Sequence, residues 1–329
     1  VQGTRNRFFT YWMTFRLQGE LLAGKEFILY CTDSRISHME LWIDGEPMTD
    51  APIGTNYAFS NRSVNSRYLA YYLPQKSDMT IDIKVFSSQS SFFAFEVKEK
   101  DTFIGDATWE TTMLGGAYGV FALSALFSLL MRLKFRDSVY WTYASFIIVA
   151  FLTCLYLDGS GFQYYWASTP IVNLYLLLLL PLFILLTCAL LVTSFVDAWS
   201  WSNRYFQIMF WSTAVSVPVG YIFTFVAPQY FLHNFCYLVP FIAMIYVCIC
   251  SYRKGFGSML PFIAGFLLVI VTNSLYMLQP FLSVESYNSV IRLSPHFSVV
   301  GLIVTLSYAQ YIKFYSIFKS RSNAKRKAY

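Results

Sequence analysis

The sequence predicts a membrane protein of two parts, an N-terminal all-β sandwich followed by a seven-helix transmembrane bundle. Three observations carry that prediction. Only 13% of the 329 residues are charged, about half of the roughly 25% usual in soluble domains. The charges are also unevenly placed. Residues 1–110 hold 11 Lys/Arg against 14 Asp/Glu, a net of −3, whereas residues 111–329 hold 13 against 4, a net of +9. Finally, apolar residues alternate with period two in the first part and run continuously in the second.

The first part, residues 1–108, reads as short strands. Trp12–Leu17, Phe27–Tyr30, Met39–Ile43, Tyr68–Leu73, Thr80–Phe86 and Phe92–Val97 are rich in aromatic and branched residues, and several alternate as half-buried antiparallel strands do. Asp44–Gly45–Glu46–Pro47 supplies a turn after the third run. Six or more strands in this length, without helical periodicity, argue for a sandwich. Cys31 is the only cysteine here, so no disulfide staples the domain and it must fold on its own core. Asp101 to Trp109 then passes the chain to the first helix almost without a linker, which favours mechanical coupling.

Residues 109–318 carry seven stretches of the roughly 20 apolar residues that a spanning helix needs. They lie near 112–132, 138–157, 170–195, 205–226, 231–251, 259–280 and 294–317. Alternate connections, Lys313 and the 319–329 tail place twelve Lys/Arg on one side, from Arg132, Lys134 and Arg136 to Arg326 and Lys327. The opposite loops hold only Arg292. Twelve against one is a positive-inside pattern that sets the C-terminus in the cytoplasm and the sandwich outside. An odd number of spans agrees. Basic residues between and after apolar runs fit anchoring to membrane lipids and exclude a nucleic-acid surface. The chain starts at Val1, and an exported domain needs a targeting signal, so one is expected to be cleaved or to lie upstream.

The bundle offers little equipment for chemistry. Its apolar cores contain essentially no Asp, Glu, Lys or Arg, which disfavours an ion-coupled transporter. Lys313 near the cytoplasmic end reads as a snorkelling lysine. His233 and His296 sit near the outer boundary, and Asn173 and Asn273 are expected to bond between helices. Cys248-x-Cys250 lacks the further ligands a metal needs. No nucleophile with an attendant base and no phosphate-binding glycine loop is present, so the chain is expected to be no enzyme and to use no cofactor. In the sandwich, Trp12, Trp42 and Tyr71, with Arg62 and Arg67, are the aromatic platforms and polar hands that a sugar-like or other small ligand would use.

Three segments carry a resemblance. Gly115–Gly116–Ala117–Tyr118–Gly119 opens the first span, Phe135–Arg136–Asp137–Ser138–Val139–Tyr140–Trp141 follows it, and Leu157–Asp158–Gly159–Ser160–Gly161–Phe162–Gln163–Tyr164–Tyr165–Trp166 forms the next outer connection. Together they resemble the bacterial seven-transmembrane receptors with diverse intracellular signalling modules (7TMR-DISM). The start of the front domain, Tyr11–Trp12–Met13–Thr14–Phe15, resembles that family's jelly-roll-like extracellular sensor module. The resemblance implies a bacterial inner-membrane receptor with a periplasmic sensor, a carbohydrate-like ligand, and a relay to a cytoplasmic output module. That module is typically a histidine kinase or diguanylate cyclase, expected in cis beyond Tyr329 or as a partner protein. Such outputs work as dimers, so a homodimer is expected. The rival expectation is a membrane carrier or chaperone that holds a lipid or a lipidated protein.

Overall fold

The computed structural model describes residues 10–18, 25–76, 78–87, 94–196, 203–226, 232–278 and 289–327. Phe92, Phe93, Asp197, Trp199, Trp201 and residues 281–288, Glu285 among them, lie outside them, as does the side chain of Arg292.

Among the described residues, seven strands precede the first long helix: β1 Tyr11–Gln18, β2 Phe27–Cys31, β3 His38–Ile43, β4 Glu46–Pro47, β5 Leu69–Leu73, β6 Asp78–Phe86 and β7 Phe95–Glu99. They pair as two antiparallel sheets, in the orders β1-β6-β3-β4 and β5-β2-β7. The period-two pattern sets the faces, since a one-residue slip would turn every side chain over. Met39, Leu41, Ile81, Ile83 and Val85 from one sheet meet Leu29, Cys31, Leu69 and Tyr71 from the other in a single buried core. The β3–β4 turn needs left-handed backbone at both central residues, and Asp44 (φ 52°) and Gly45 (φ 88°) supply it. The Asp44 carboxylate also accepts the Thr80 N–H at 2.8 Å, fixing the turn against β6.

The two sheets differ on their outer faces. Beyond the four-stranded sheet, Trp12, Thr14 and Arg16 alternate outward with the core-facing Met13, Phe15 and Leu17. Beyond the three-stranded sheet, Ile28, Tyr30 and Ala70 are buried again, with Val64, Tyr68 and Phe103. Phe103 belongs to α1, which spans Lys100–Phe135 and starts directly after β7. Its helix therefore begins about a dozen residues ahead of the apolar stretch read from hydropathy. The cause is local, because Phe103, Glu110 and Leu114 recur on one helical face and are buried. Burying the Phe103 ring contributes roughly 1.5–3 kcal/mol to holding that face against the sheet.

The remaining helices are α2 Ser138–Leu157, the short α3 Ser160–Tyr164, α4 Ile171–Phe195, α5 Arg204–Val226, α6 Leu232–Arg253, α7 Met259–Leu278 and α8 Ser289–Lys327. Among the described residues, six helices are long and apolar enough to cross a membrane, and Met259–Leu275 of α7 is a shorter apolar helix. The seven long helices coincide with the seven apolar stretches. The basic tail is not a separate coil, since α8 continues to Lys327. Pro181, Pro218, Pro240 and Pro295 lie inside helices, as membrane helices tolerate.

The chain divides into two compact units. One holds residues 1–115, 152–180 and 222–232; the other holds 116–151, 181–221 and 233–329. In the second unit the Phe135–Arg136–Asp137 turn has a clear logic. Arg136 takes left-handed backbone (φ 56°) and ends α1, and the Asp137 carboxylate accepts the Val139 N–H at 3.0 Å, capping α2. Tyr143, fully buried, donates to the Ile303 carbonyl at 2.8 Å and reaches Ser307 Oγ at 2.8 Å, tying α2 to α8. Helices α7 and α8 pack closely, because a Cβ on Gly265 would stand 2.4 Å from Thr305 Oγ1 and one on Gly301 would stand 2.3 Å from Leu268.

Candidate functional site

The five candidate residues from the sequence fall in three places. Trp12 and Trp42 meet on the outer face of the four-stranded sheet, their ring centroids 5.0 Å apart. They stand on β1 and β3, so the two indoles close over the intervening β6. Trp12 is 61% exposed, and the Lys84 ammonium lies 5.8 Å from its ring centre. Polar partners surround the pair. Thr14 donates to Asp82 at 2.5 Å, and Lys84 donates to Glu40 at 3.1 Å. His38 Nε2 stands 2.9 Å from Glu40, and the Tyr57 hydroxyl lies 2.5 Å from Nδ1. Burial holds His38 below its ordinary imidazole value, against an opposing pull from Glu40. An aromatic platform ringed by fixed hydrogen-bonding groups is the arrangement that binds a polyhydroxylated ring by its apolar face and its edge.

Tyr71 sits elsewhere. It is 1% exposed in the sandwich core, its hydroxyl donates to the Met39 carbonyl at 3.2 Å, and burial pushes its phenol up to about 12.

Arg62 and Arg67 occupy a third place, where the 59–68 segment meets α1 and the α2–α4 connection within the first unit. Arg67 Nη2 donates to Glu110 at 2.5 Å and to the Tyr68 hydroxyl at 2.9 Å. Tyr68 in turn donates to Glu110, so one α1 carboxylate receives both groups. Arg62 is buried without a carboxylate partner among the described residues. Its Nη1 donates to the carbonyls of Ser66 at 2.9 Å and Arg67 at 2.8 Å. Its guanidinium lies 4.5 Å from the Phe59 ring centre and 5.5 Å from that of Phe162. Desolvation lowers Arg62 to about 9, which leaves it charged at neutral pH.

The glycines of the α2–α3 connection make this docking possible. Gly159 takes left-handed backbone (φ 78°), and a Cβ there would stand 2.8 Å from Ser34 Oγ. A Cβ on Gly161 would lie 1.9 Å from the Trp166 ring. Trp166 Nε1 donates to Asn173 at 2.8 Å, Asn173 Nδ2 donates to the Thr55 carbonyl at 3.2 Å, and the Phe59 N–H donates to the Ala167 carbonyl at 2.9 Å. Asn173 therefore joins the loop to the sandwich, where a bond between helices was expected. Asn273 bonds to Val269 of its own helix at 2.8 Å. His296 is buried, and the side chain of His233 lies outside the described residues.

Sequence reasoning passed over Glu110, and named Phe162 and Trp166 only within the segment that carries the resemblance. The available signal for Glu110 was its spacing of seven from Phe103, which puts a carboxylate on the buried stripe of α1. Lys313 does more than snorkel: it donates to the Ser194 carbonyl at 3.4 Å, stands 4.0 Å from Asp137 and lies 5.3 Å from the Phe195 ring centre.

Comparison with known proteins gives one match. The family model described as 7TM diverse intracellular signalling matches residues 110–311. No curated protein and no solved structure matches.

Proposed function

This chain belongs to the 7TM diverse intracellular signalling family, and on that premise we propose that its sandwich binds an extracytoplasmic, sugar-like ligand. The protein is a multi-pass membrane protein and a transmembrane sensory receptor. The ligand seat is the Trp12–Trp42 face, and the relay is the buried Arg67–Tyr68–Glu110 cluster. One observation carries the reading. The helix that leaves β7 is gripped by the sandwich at Phe103 and Glu110 and then runs on as a membrane-spanning helix. A change in sandwich packing thus has a rigid element to act on, and ligand binding need only favour one of two packings.

The reading places the protein in a bacterial inner membrane, with the sandwich in the periplasm and the C-terminus in the cytoplasm. The twelve-to-one distribution of basic residues supports that orientation. Output passes to a cytoplasmic module such as a histidine kinase or diguanylate cyclase, in cis or as a partner, and the receptor works as a homodimer.

The test is a titration of the full chain in lipid nanodiscs with neutral hexasaccharides (maltohexaose, cellohexaose and chitohexaose), followed by tryptophan fluorescence. Saturable binding that Trp12→Ala weakens by roughly 2- to 13-fold, the worth of one aromatic contact, supports the reading. Binding of none of the three, or binding untouched by Trp12→Ala and Trp42→Ala, sinks this seat.

A further inference from the structure

Strand β1, Tyr11–Gln18, is eight residues long and pairs along its whole length with β6. Among the described residues, no strand lies on its other side. The opposite edge of the same sheet is β4, which is two residues long. Natural sheets blunt a long edge with proline, a bulge or several charges, because its outward N–H and C=O groups are a template for another strand. β1 has no proline, its register with β6 is unbroken, and Arg16 is its only charge. The core is also open along this strand. On β6, Met79, Ile81, Ile83 and Val85 are at most 1% exposed, whereas Met13, Phe15 and Leu17 of β1 are only partly buried. Apolar side chains that point into the sandwich are thus left partly in water, and covering them is favourable.

We propose that a second copy of the chain covers this edge, its β1 running antiparallel to the first about a two-fold axis beside Thr14. A two-fold contact must be self-complementary. Residues directly opposite in an antiparallel pair share a face, so an axis at Thr14 sets residue 12 against 16 and residue 13 against 15. On the outer face each Trp12 indole then meets Arg16 of the second copy, and Thr14 stands against Thr14 with no like charges brought together. On the core face each Met13 meets Phe15 of the second copy, and both open cores close with apolar surface. The Arg16–Trp12 contact decides the register. Trp12 is 61% exposed, and the Lys84 ammonium 5.8 Å from its ring centre shows that this indole accepts a cation. Moving the axis to Phe15 would set Arg16 against Thr14 and Trp12 against Gln18, losing the contact twice. The inference rests on the homodimer of the receptor reading, gives that dimer its interface, and sets Arg16 of the second copy at the rim of the Trp12–Trp42 seat.

The test needs neither ligand nor output. It uses the full chain in phosphatidylethanolamine–phosphatidylglycerol liposomes, where copies can meet. Thr14, Arg16 and Gln18 are exposed, so substitutions there leave the core intact. Opposite Cβ atoms stand about 4.5–5.5 Å apart, close enough for a disulfide, so Thr14→Cys forms a cross-linked dimer under mild oxidation. Gln18→Cys stays at background, because the two copies of that position lie about 27 Å apart along the strands, and so does the wild type with its native cysteines. Adding Arg16→Ala to Thr14→Cys weakens dimerisation roughly 5- to 30-fold, the worth of two exposed cation–π contacts. Thr14→Cys at background, or Gln18→Cys at equal yield, overturns the interface. A segment of the same chain lying on that edge would shield Thr14 and give the first of those results. Counting copies by single-molecule photobleaching in the same liposomes separates the two failures. Dimers without the Thr14 cross-link overturn this interface and leave the receptor's homodimer standing, whereas monomers alone remove both.

Discussion

Arg67 Nη2 stands 2.5 Å from Glu110 Oε2, and both side chains are 6% exposed. The pair joins the segment before β5 to the first helix, and the Tyr68 hydroxyl shares the same carboxylate oxygen. Removing one partner leaves a buried charge uncompensated, so Arg67→Ala or Glu110→Ala costs about 3–5 kcal/mol. Replacing both with Met restores most of that stability while erasing the ionic link. Thermal unfolding of the three variants in nanodiscs checks this. A double variant no better than the singles would mean the cost lies in packing rather than charge.

The Gly161–Trp166 contact calls for a second test. Alanine at 161 would force the indole away from Asn173, since its Cβ would stand 1.9 Å from the ring. Gly161→Ala is expected to cost about 1–3 kcal/mol, the usual price of overpacking. A Gly161→Ala/Trp166→Ala cycle should be strongly non-additive, because both changes act on one contact. Additive losses would place the effect of Gly161 elsewhere.

How much of this was readable beforehand follows from which forces act locally. Hydropathy and period-two alternation depend on near neighbours, so the strands around Trp12, Met39 and Ile81 and the seven apolar helices were legible. Strand pairing was not, because nothing local tells β1 to lie beside β6. The candidate site split for the same reason. Trp12 and Trp42 could be named as aromatics in strands, but only their register across β6 brings the rings together. Tyr71 carried the same signal and lies in the core, since alternation does not say which face is covered. Glu110 was hidden by its partner's distance of 43 residues along the chain.

His38 gives the sandwich a pH dependence with a definite sign. Its folded value lies below that of an ordinary imidazole, chiefly because burial penalises the charged ring. As pH falls from the ordinary imidazole value toward the folded one, the unfolded chain binds the proton more readily, so stability falls through this range. Glu40, Lys84 and Tyr57 face the ring and act on it as well. Melting temperatures of wild type and His38→Gln, compared at about pH 5 and about pH 7.5, should differ in slope, with the variant flatter. Parallel slopes would remove His38 as the source.

The Asp137 cap offers a small and separable effect. Asp137→Ala removes the acceptor for the Val139 N–H and should cost about 1 kcal/mol, and Asp137→Asn should recover most of it. Unfolding of the two variants distinguishes the cap from the 4.0 Å approach of Lys313, which asparagine does not restore as a charge pair.

The central claim is that an event on the Trp12–Trp42 face reaches the helices through Arg67 and Glu110. Hydrogen–deuterium exchange of the full chain in nanodiscs, with and without the hexasaccharide that binds, tests it most directly. Altered protection in β1, β3 and α8 is expected for wild type. In Arg67→Met/Glu110→Met the sugar should still protect β1 and β3 while α8 stays unchanged. An α8 response of equal size in that double variant would contradict the account.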